Sequence, residues 1–474
     1  MNRKIKKLLR EPNLFFKDMY RKYEIKIKRK IPFKYNGTNQ FTVVSAVYNV
    51  APYLDKYFES LVTQTLNFKK HISLILVDDG STDSSAKIIK EWQKKFPNNI
   101  HYIHQKNHGI SAARNTGLKH VSTPWVTFID TDDFIHPDYF IIVDSILTKN
   151  KSIKLAVGNL KFYFDETKLV KDRHALRYRF YKKVNIVPIS NLGKNINLFV
   201  TVSFFQTALL HNQHIVFDER IKPNFEDGKF LADYLLHTEH GNVAYLRNAV
   251  FFYRKRGNGS STIDNSWLKK EKYYNTFLYG YIPMLEAYKE KYGSIPKNIQ
   301  WTVLYEIFWH IKKLVNLNEY LKVLTTEETE NYRNLLKKTL AYIDDNHIIN
   351  FDLIGIENLH KIGLIGIKNI YKSSVKITIE YISCYKQPLL RCYSNHNIEI
   401  SFLLNGKQVH PNFSQTTTHF FTGKPFVYEK NIHIPYYLDT NILSVFTPYI
   451  FENIISEIIF NFDSTNNILD WEVL

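Results

Sequence analysis

Between residues 41 and 133 apolar runs alternate with amphipathic stretches, and two of those runs end in aspartate-rich turns. The turns are Val77-Asp78-Asp79-Gly80-Ser81-Thr82-Asp83 and Phe128-Ile129-Asp130-Thr131-Asp132-Asp133. The pattern predicts strands at 41–47, 72–77, 100–104 and 125–129, separated by helices at 52–65, 84–95 and 111–120. Alternation of this kind builds βαβ units and a mainly parallel central sheet, so the expected fold class is α/β. Carboxylates just past the carboxyl ends of such strands sit at the crevice where open α/β sheets bind ligands. Asp130-Thr131-Asp132 there has the oxygen chemistry to hold a divalent cation against a diphosphate. Ser81, Thr82 or Asp83 is placed to cap the helix that follows the first turn.

The 474 residues are 44% hydrophobic, ample for packed cores, and the length suggests roughly two to four domains. Cys384 and Cys392 are too few and too close for a disulfide framework, and the 18 histidines form no zinc-spaced Cys/His cluster, which points to a reducing compartment. No apolar segment with a small-residue cleavage site follows the basic N-terminus, and no uncharged apolar stretch reaches about 18 residues. Neither a signal peptide nor a membrane-spanning helix is expected. Of the net charge of +18, residues 1–34 supply +10, with 13 Lys/Arg against Glu11, Asp18 and Glu24. That arm carries Phe15, Phe16, Met19, Tyr23 and Ile27 at helical spacing, so it reads either as a basic amphipathic helix on an anionic membrane surface or as a helix packed on the next domain. Nucleic acid is not an expected partner: no helix-turn-helix, zinc-finger or RNP-type signature organises the charge.

After Asp133 the pattern predicts a helix at 137–147 and a strand at 154–159, leaves 160–200 unassigned, then predicts a helix at 227–238 and strands at 243–246 and 249–253. Residues 267–292 and 298–343 are rich in helix formers and aromatics. From about residue 375, apolar alternation broken by Asn-Gly and Pro predicts antiparallel strands, a hairpin at Asn405-Gly406 and a small β-sandwich. The expected division is a basic arm (1–36), a nucleotide-binding domain (37–265), a helical subdomain (266–350) and a C-terminal β-rich domain (351–474).

Five segments occur in a characteristic order: Val44-Ser45-Ala46-Val47-Tyr48-Asn49; the turn at Asp78-Asp79; Gly109-Ile110-Ser111-Ala112-Ala113-Arg114-Asn115-Thr116-Gly117-Leu118; the turn at Asp130-Thr131-Asp132-Asp133; and Phe225-Glu226-Asp227-Gly228-Lys229-Phe230. Over residues 41–262 the chain resembles an inverting family 2 glycosyltransferase of the GT-A fold. The resemblance implies that Ser45, Val47 and Tyr48 line the nucleotide base, mainly through backbone and edge contacts. Asp79, or Asp78 beside it, would accept from the base ring N–H, favouring uracil. It implies that Asp132 and Asp130, with Asp133 as a further contributor, hold Mn²⁺ or Mg²⁺ on the donor diphosphate, with Asp130 also bordering the nucleotide. Asp227 would be the general base that takes the acceptor hydroxyl's proton, flanked by Glu226 and anchored by Phe230, Leu231 and Tyr234. Arg114 either binds phosphate or pairs with one of the aspartates, and Lys106 is a weaker candidate for that task. Arg254 and Arg256 begin a basic loop that resembles the segment closing over the diphosphate.

The expected activity is therefore metal-dependent transfer of a sugar from a nucleotide-diphosphate donor, a UDP-sugar first, to a hydroxyl of a glycan or lipid-linked acceptor. The setting implied is the cytoplasmic face of a bacterial membrane during capsule, lipopolysaccharide or teichoic-type polymer synthesis, with the C-terminal region a candidate for oligomer contacts. The rivals are a nucleotidyltransferase, whose Gly-rich phosphate loop is replaced here by Tyr48-Asn49-Val50-Ala51-Pro52, a non-catalytic glycan-binding scaffold, and a polyanion-binding protein driven by the arm.

Overall fold

A computed structural model describes residues 37–238, 240–256, 265–317 and 319–368, followed by segments of the C-terminal region between 377 and 473. The basic arm, the loop 257–264 and the turn residues 405–406 lie outside the described residues. The first half alternates as expected: Phe41–Val47 (β1), Ala51–Val62 (α1), Ile72–Asp79 (β2), Ser85–Lys95 (α2), Ile100–Gln105 (β3), Ile110–Leu118 (α3) and Trp125–Phe128 (β4). Strands β1, β2 and β4 are nearly continuous buried runs because both faces of the sheet are covered there, whereas the edge strand β3 alternates with His101, His104 and Gln105.

The next strands are Phe134–Ile135 (β5), Ile153–Phe164 (β6), Leu169–Lys171 (β7), Val184–Pro188 (β8), Ser203–Gln206 (β9) and Asn242–Lys255 (β10). Along the sheet the order is β3-β2-β1-β4-β9-β6-β10-β5. The strands β3, β2, β1 and β4 are mutually parallel, and β9 runs antiparallel between β4 and β6. The two strands expected at 243–246 and 249–253 are one, β10, whose register against β6 shifts between Leu246 and Val250. An irregularity lets the polar Arg247-Asn248 pair pass without ending the strand. Because β1 is flanked by β2 on one side and β4 on the other, the chain reverses its winding there, and both aspartate-rich turns open at that switch point.

The loops after β1 and β2 are tied to each other. Asn49 accepts through its side-chain oxygen from the Thr82 N–H (2.8 Å) and donates its own N–H to Ser81 Oγ (3.1 Å). Asp83 accepts from the Ala51 N–H (3.0 Å) at the start of α1 and from the Ser85 N–H (2.9 Å) at the start of α2, so one carboxylate serves two helix N-termini. Asp83→Ala is expected to cost about 1 to 2 kcal/mol, a cap and part of a second. A urea titration of the full chain would read this as a lower midpoint with an unchanged slope.

The remaining helices of the first half are Tyr139–Lys149 (α4), Thr207–Asn212 (α5) and Glu226–Leu236 (α6). Helix α6 joins two cores. Its Phe230, Leu231 and Tyr234 enter the core around the sheet, where Phe230 stacks on Phe217 at 4.1 Å. Phe225, Ala232 and Leu236 enter a second core built by the helices that follow. There Glu271–Asn275 (α7) runs through a π-helical stretch, Thr276–Tyr281, into Ile282–Tyr292 (α8), followed by Lys297–Leu314 (α9), Thr326–Leu340 (α10), Asp345–Ile349 (α11) and Asn358–Lys368 (α12). The last helix lies in the stretch for which the sequence predicts β structure.

The C-terminal region forms two antiparallel sheets. The first comprises Ile377–Cys384 (β11), Gln387–Ser394 (β12), Phe413–Phe421 (β15) and Lys424–His433 (β16), in the order β11-β12-β16-β15. The second comprises Ser401–Leu404 (β13), Lys407–Val409 (β14), Leu443–Phe446 (β17), Glu457–Asp463 (β18) and Ile468–Val473 (β19), in the order β14-β13-β17-β18-β19. Strand β13 pairs antiparallel with β14, Leu404 against Lys407, and the hairpin residues expected at Asn405-Gly406 lie outside the described residues. Cys392 is a free, buried thiol. Among the described residues no helix is long and apolar enough to cross a membrane.

Candidate active site

Helix α3 comes close enough to the sheet that only glycine fits at position 117: a Cβ there would lie 2.4 Å from Val44 Cγ1. That approach buries Arg114, 2% exposed, at the crevice. A buried guanidinium demands anionic partners. Arg114 has them on two sides: Nη2 donates to Asp130 Oδ1 (2.9 Å) and Nη1 to Asp227 Oδ1 (2.7 Å), with Glu226 Oε1 at 3.6 Å from Nη1. Arg114 thus pairs with aspartates of both acidic motifs, and its fork holds the turn after β4 against the first turn of α6. The next residue, Asn115, faces away from the crevice: its side chain donates to Phe217 O (2.9 Å) and accepts from the Phe217 N–H (2.8 Å), fixing the segment that leads to α6.

The two acidic residues that open α6 sit in a low-dielectric niche. The second Asp227 oxygen accepts from the Val200 N–H (3.1 Å), a donor in the segment the sequence left unassigned. Burial raises the Asp227 carboxyl despite the Arg114 charge beside it, and burial together with the Asp227 charge pushes Glu226 up to about 8. Each Asp227 oxygen keeps a lone pair beyond its one donor, so proton acceptance remains open to it.

The Asp130-Thr131-Asp132-Asp133 turn divides into two partly exposed carboxylates and one buried. Asp130 and Asp132 side chains are 30% and 25% exposed, and each has one oxygen engaged by an arginine, Arg114 and Arg256 respectively. Asp133 is buried, with Oδ1 accepting from the Arg254 N–H (2.7 Å) and Oδ2 without a donor. Burial raises Asp132 and Asp133, and the neighbouring aspartates add to both shifts. Hard oxygens, mutual repulsion and an orphaned buried carboxylate oxygen fit a divalent cation, with Asp130 and Asp132 the accessible ligands. Among the described residues no three ligating side chains converge into a closed cage.

Arg254 and Arg256 flank this turn. Arg254 Nε donates to Asp132 O (2.6 Å) and Nη1 to Asp165 Oδ1 (2.9 Å), so Arg254 is a strut for the turn. Arg256 pairs with the Asp132 carboxylate and lies 4.6 Å from the Tyr53 ring centroid. The base-side residues divide in the same way. Ser45 is buried, its hydroxyl bonding Tyr57 OH and Ile129 O (both 2.6 Å), and Val47 is buried, which leaves Tyr48, 53% exposed, as the side chain presented to the crevice. Asp78 accepts from the Ser81 N–H (2.9 Å) and Tyr102 OH (2.7 Å). Asp79 accepts from Gln105 Nε2 (2.8 Å) and the N–H groups of His108 (3.0 Å) and Gly109 (2.7 Å), where α3 begins. Both carboxylates therefore organise the crevice floor, and Asp79 fixes the helix that carries Arg114. Lys106 is exposed on the same loop and makes no part of the Arg114 network. Val200 and Asp165 are participants that sequence patterns do not single out; the first acts through its backbone, and the second lies in no motif.

Residues 42–251 match the family described as Glycosyl transferase family 2. The minor teichoic acid biosynthesis protein GgaA of Bacillus subtilis is 32% identical over 319 residues, 66% of this chain and 69% of that protein. The chain belongs to glycosyltransferase family 2. A second relative of this glycosyltransferase, the minor teichoic acid biosynthesis protein GgaB of Bacillus subtilis, is 29% identical over 309 residues, 65% of this chain and 33% of that longer protein. The fold is that of TarS from S. aureus: the crystal structure of its residues 1–349 with UDP-GlcNAc superposes with a TM-score of 0.53 at 17% identity, covering 72% of this chain and 94% of that one. The GT-A expectation is thereby met, and the order of the five motifs maps onto one crevice of the family 2 fold.

Proposed function

We propose that this glycosyltransferase moves a sugar from a nucleotide-diphosphate donor, a UDP-sugar first, to a hydroxyl of a glycan or lipid-linked acceptor, with inversion and with Mn²⁺ or Mg²⁺ at Asp130 and Asp132. The observation that carries this is Arg114, which ties Asp130 of the metal-binding turn to Asp227 of the base-bearing helix within one crevice. Asp227 takes the acceptor O–H proton as that oxygen bonds the anomeric carbon, while the bond from that carbon to the diphosphate oxygen breaks and the nucleoside diphosphate leaves. The cation, when bound, supplies neutralisation of the leaving diphosphate. Arg256 adds positive charge beside it, and Tyr48 offers an exposed ring edge to the base. The names of the relatives support a teichoic-type surface polymer as product, and the solved neighbour's donor supports UDP. On this reading the enzyme works at the inner face of the membrane, with the arm 1–34 as a surface anchor and the C-terminal sheets as accessory or oligomer-forming elements.

A donor panel of UDP-, GDP-, CDP- and TDP-sugars, followed by nucleotide release with Mn²⁺ or with EDTA, tests the proposal. Release from one UDP-sugar should require metal and fall about 100-fold or more in Asp132→Ala. Full release in EDTA, or wild-type release by Asp132→Ala, contradicts the metal assignment.

A further inference from the structure

The base-bearing turn is held from behind by the helical segment, at a contact that no family motif covers. Lys272 on α7 is 3% exposed, and its Nζ donates to Asn224 Oδ1 (2.9 Å), two residues before Glu226. The Asn224 side chain also hydrogen-bonds the Glu306 carboxylate on α9, and the Lys272 charge is felt by both Glu306 and Glu226. The Lys272 ammonium lies 4.6 Å from the Trp267 ring centroid, which fixes its stem.

Between Asn224 and Glu226 stands Phe225, with φ 87° and ψ −2°, a left-handed conformation that a bulky residue rarely adopts. It persists because its ring fills a slot between two glycines. A Cβ at Gly228 would lie 2.6 Å from Phe225 Cε2, and one at Gly280, in the π-helical stretch, 2.8 Å from Phe225 Cδ1. Tyr281 closes the slot edge-on at 4.6 Å. π-Helical turns inside α-helices often mark functional sites, and this one places Gly280 and Tyr281 against the residue that aims Glu226 and Asp227. The cluster is one splint: α7 and the π-turn grip both sides of the turn that delivers the general base.

We infer that Lys272 is a positioning residue for transfer, acting through Asn224 and the Phe225 slot to set the angle at which Asp227 meets the acceptor hydroxyl. This rests on Asp227 being the general base. Near-attack geometry is sensitive to shifts of about 1 Å, so loosening the splint lowers the rate of chemistry without touching the donor site on the far side of Arg114.

The test uses the full-length enzyme and the donor identified by nucleotide release. Lys272→Met keeps the stem on Trp267 and removes the charge; Gly280→Ala fills the slot; Asn224→Ala, at a half-exposed position, removes the relay if either buried variant fails to fold. Expected are kcat values lower by about 10- to 100-fold with the donor dissociation constant unchanged within about twofold, and partial recovery in Lys272→Arg. Folded variants that turn over at the wild-type rate overturn the inference. So does a fall in donor affinity that matches the fall in kcat, which would mean general loosening of the fold. Asp227→Asn run beside them separates the two levels: if it retains transfer, the base assignment fails first; if it is inactive while Lys272→Met is fully active, only the positioning role fails.

Discussion

Asp227→Asn is expected to lower kcat by about 10²- to 10⁴-fold while leaving donor and metal binding within about twofold of wild type. An amide of the same shape keeps one acceptor oxygen for the Val200 N–H, so α6 keeps that anchor, while its NH2 then faces Arg114 Nη1, and it cannot take a proton. The pH profile carries a second signature. Burial raises Asp227, and burial with the Asp227 charge raises Glu226 from 4.5 to about 8. A general base works deprotonated, so kcat should climb with pH along a limb lying above the ordinary carboxylate range. Stability runs the other way: folded Glu226 holds its proton between pH 4.5 and about 8 while the unfolded carboxyl does not, so its contribution is present at the acidic end and lost as pH rises through about 8. Transfer by Asp227→Asn near the wild-type rate, or a kcat that stays flat as pH falls into the ordinary carboxylate range, would remove Asp227 from the role.

The parts of the fold that were legible in the sequence are those where one principle acts alone. Strand β1 has the boundaries its apolar run predicts, since a strand covered on both faces needs no alternation. The helices α1 to α4 lie within a few residues of expectation because turn residues bound them. Tertiary context decides the rest. Residues 358–368 carry Gly363 and Gly366, which lowers their helix propensity, yet they form α12. A Cβ at Gly363 would stand 2.1 Å from Phe426 Cζ, so the glycine is selected by close packing on the C-terminal sheet and not by backbone preference. Strand β9 is four residues long and antiparallel in an otherwise parallel neighbourhood, a placement periodicity does not encode.

The site shows the same division. Motif order located the crevice and its carboxylates, because acids after strands are chemically conspicuous. It did not reveal which acids face inward. Asp78 and Asp79 read alike in sequence, but the structure gives each its own donors, Tyr102 OH and the Ser81 N–H for Asp78 and Gln105 with the start of α3 for Asp79, and those donors come from residues spread over 81–109. Nor does sequence distinguish an arginine for phosphate from an arginine for carboxylates; the choice at Arg114 follows from where α3 and α6 meet. The acidic crevice thus holds carboxylates from both aspartate-rich turns and from α6, with Arg114 linking Asp130 to Asp227.

That position makes Arg114→Met the substitution with the largest expected effect on stability. It leaves Asp227 and Glu226 in their niche, and the partly exposed Asp130 beside them, with no fork to neutralise them, and breaking a buried ion pair from one side costs about 3–5 kcal/mol. The Asp227 and Glu226 carboxyls will respond by taking up protons, which lifts their folded-state pKa values further above those of the unfolded chain. The folded state then binds more protons than the unfolded one, so stability must rise as pH falls. Thermal melts should therefore show a deficit against wild type that is large at pH 8 and smaller at pH 5.5. Arg114→Lys separates charge from geometry. An ammonium restores most of the neutralisation and hence most of the melting temperature, but a single point charge cannot bridge Asp130 and Asp227 as a planar fork does. Its transfer rate should stay low, because the metal-binding turn and the base are no longer held in one register. A pH-independent deficit in Arg114→Met would show that the loss is one of packing, and a fully active Arg114→Lys would show that charge alone suffices to couple the two halves of the site.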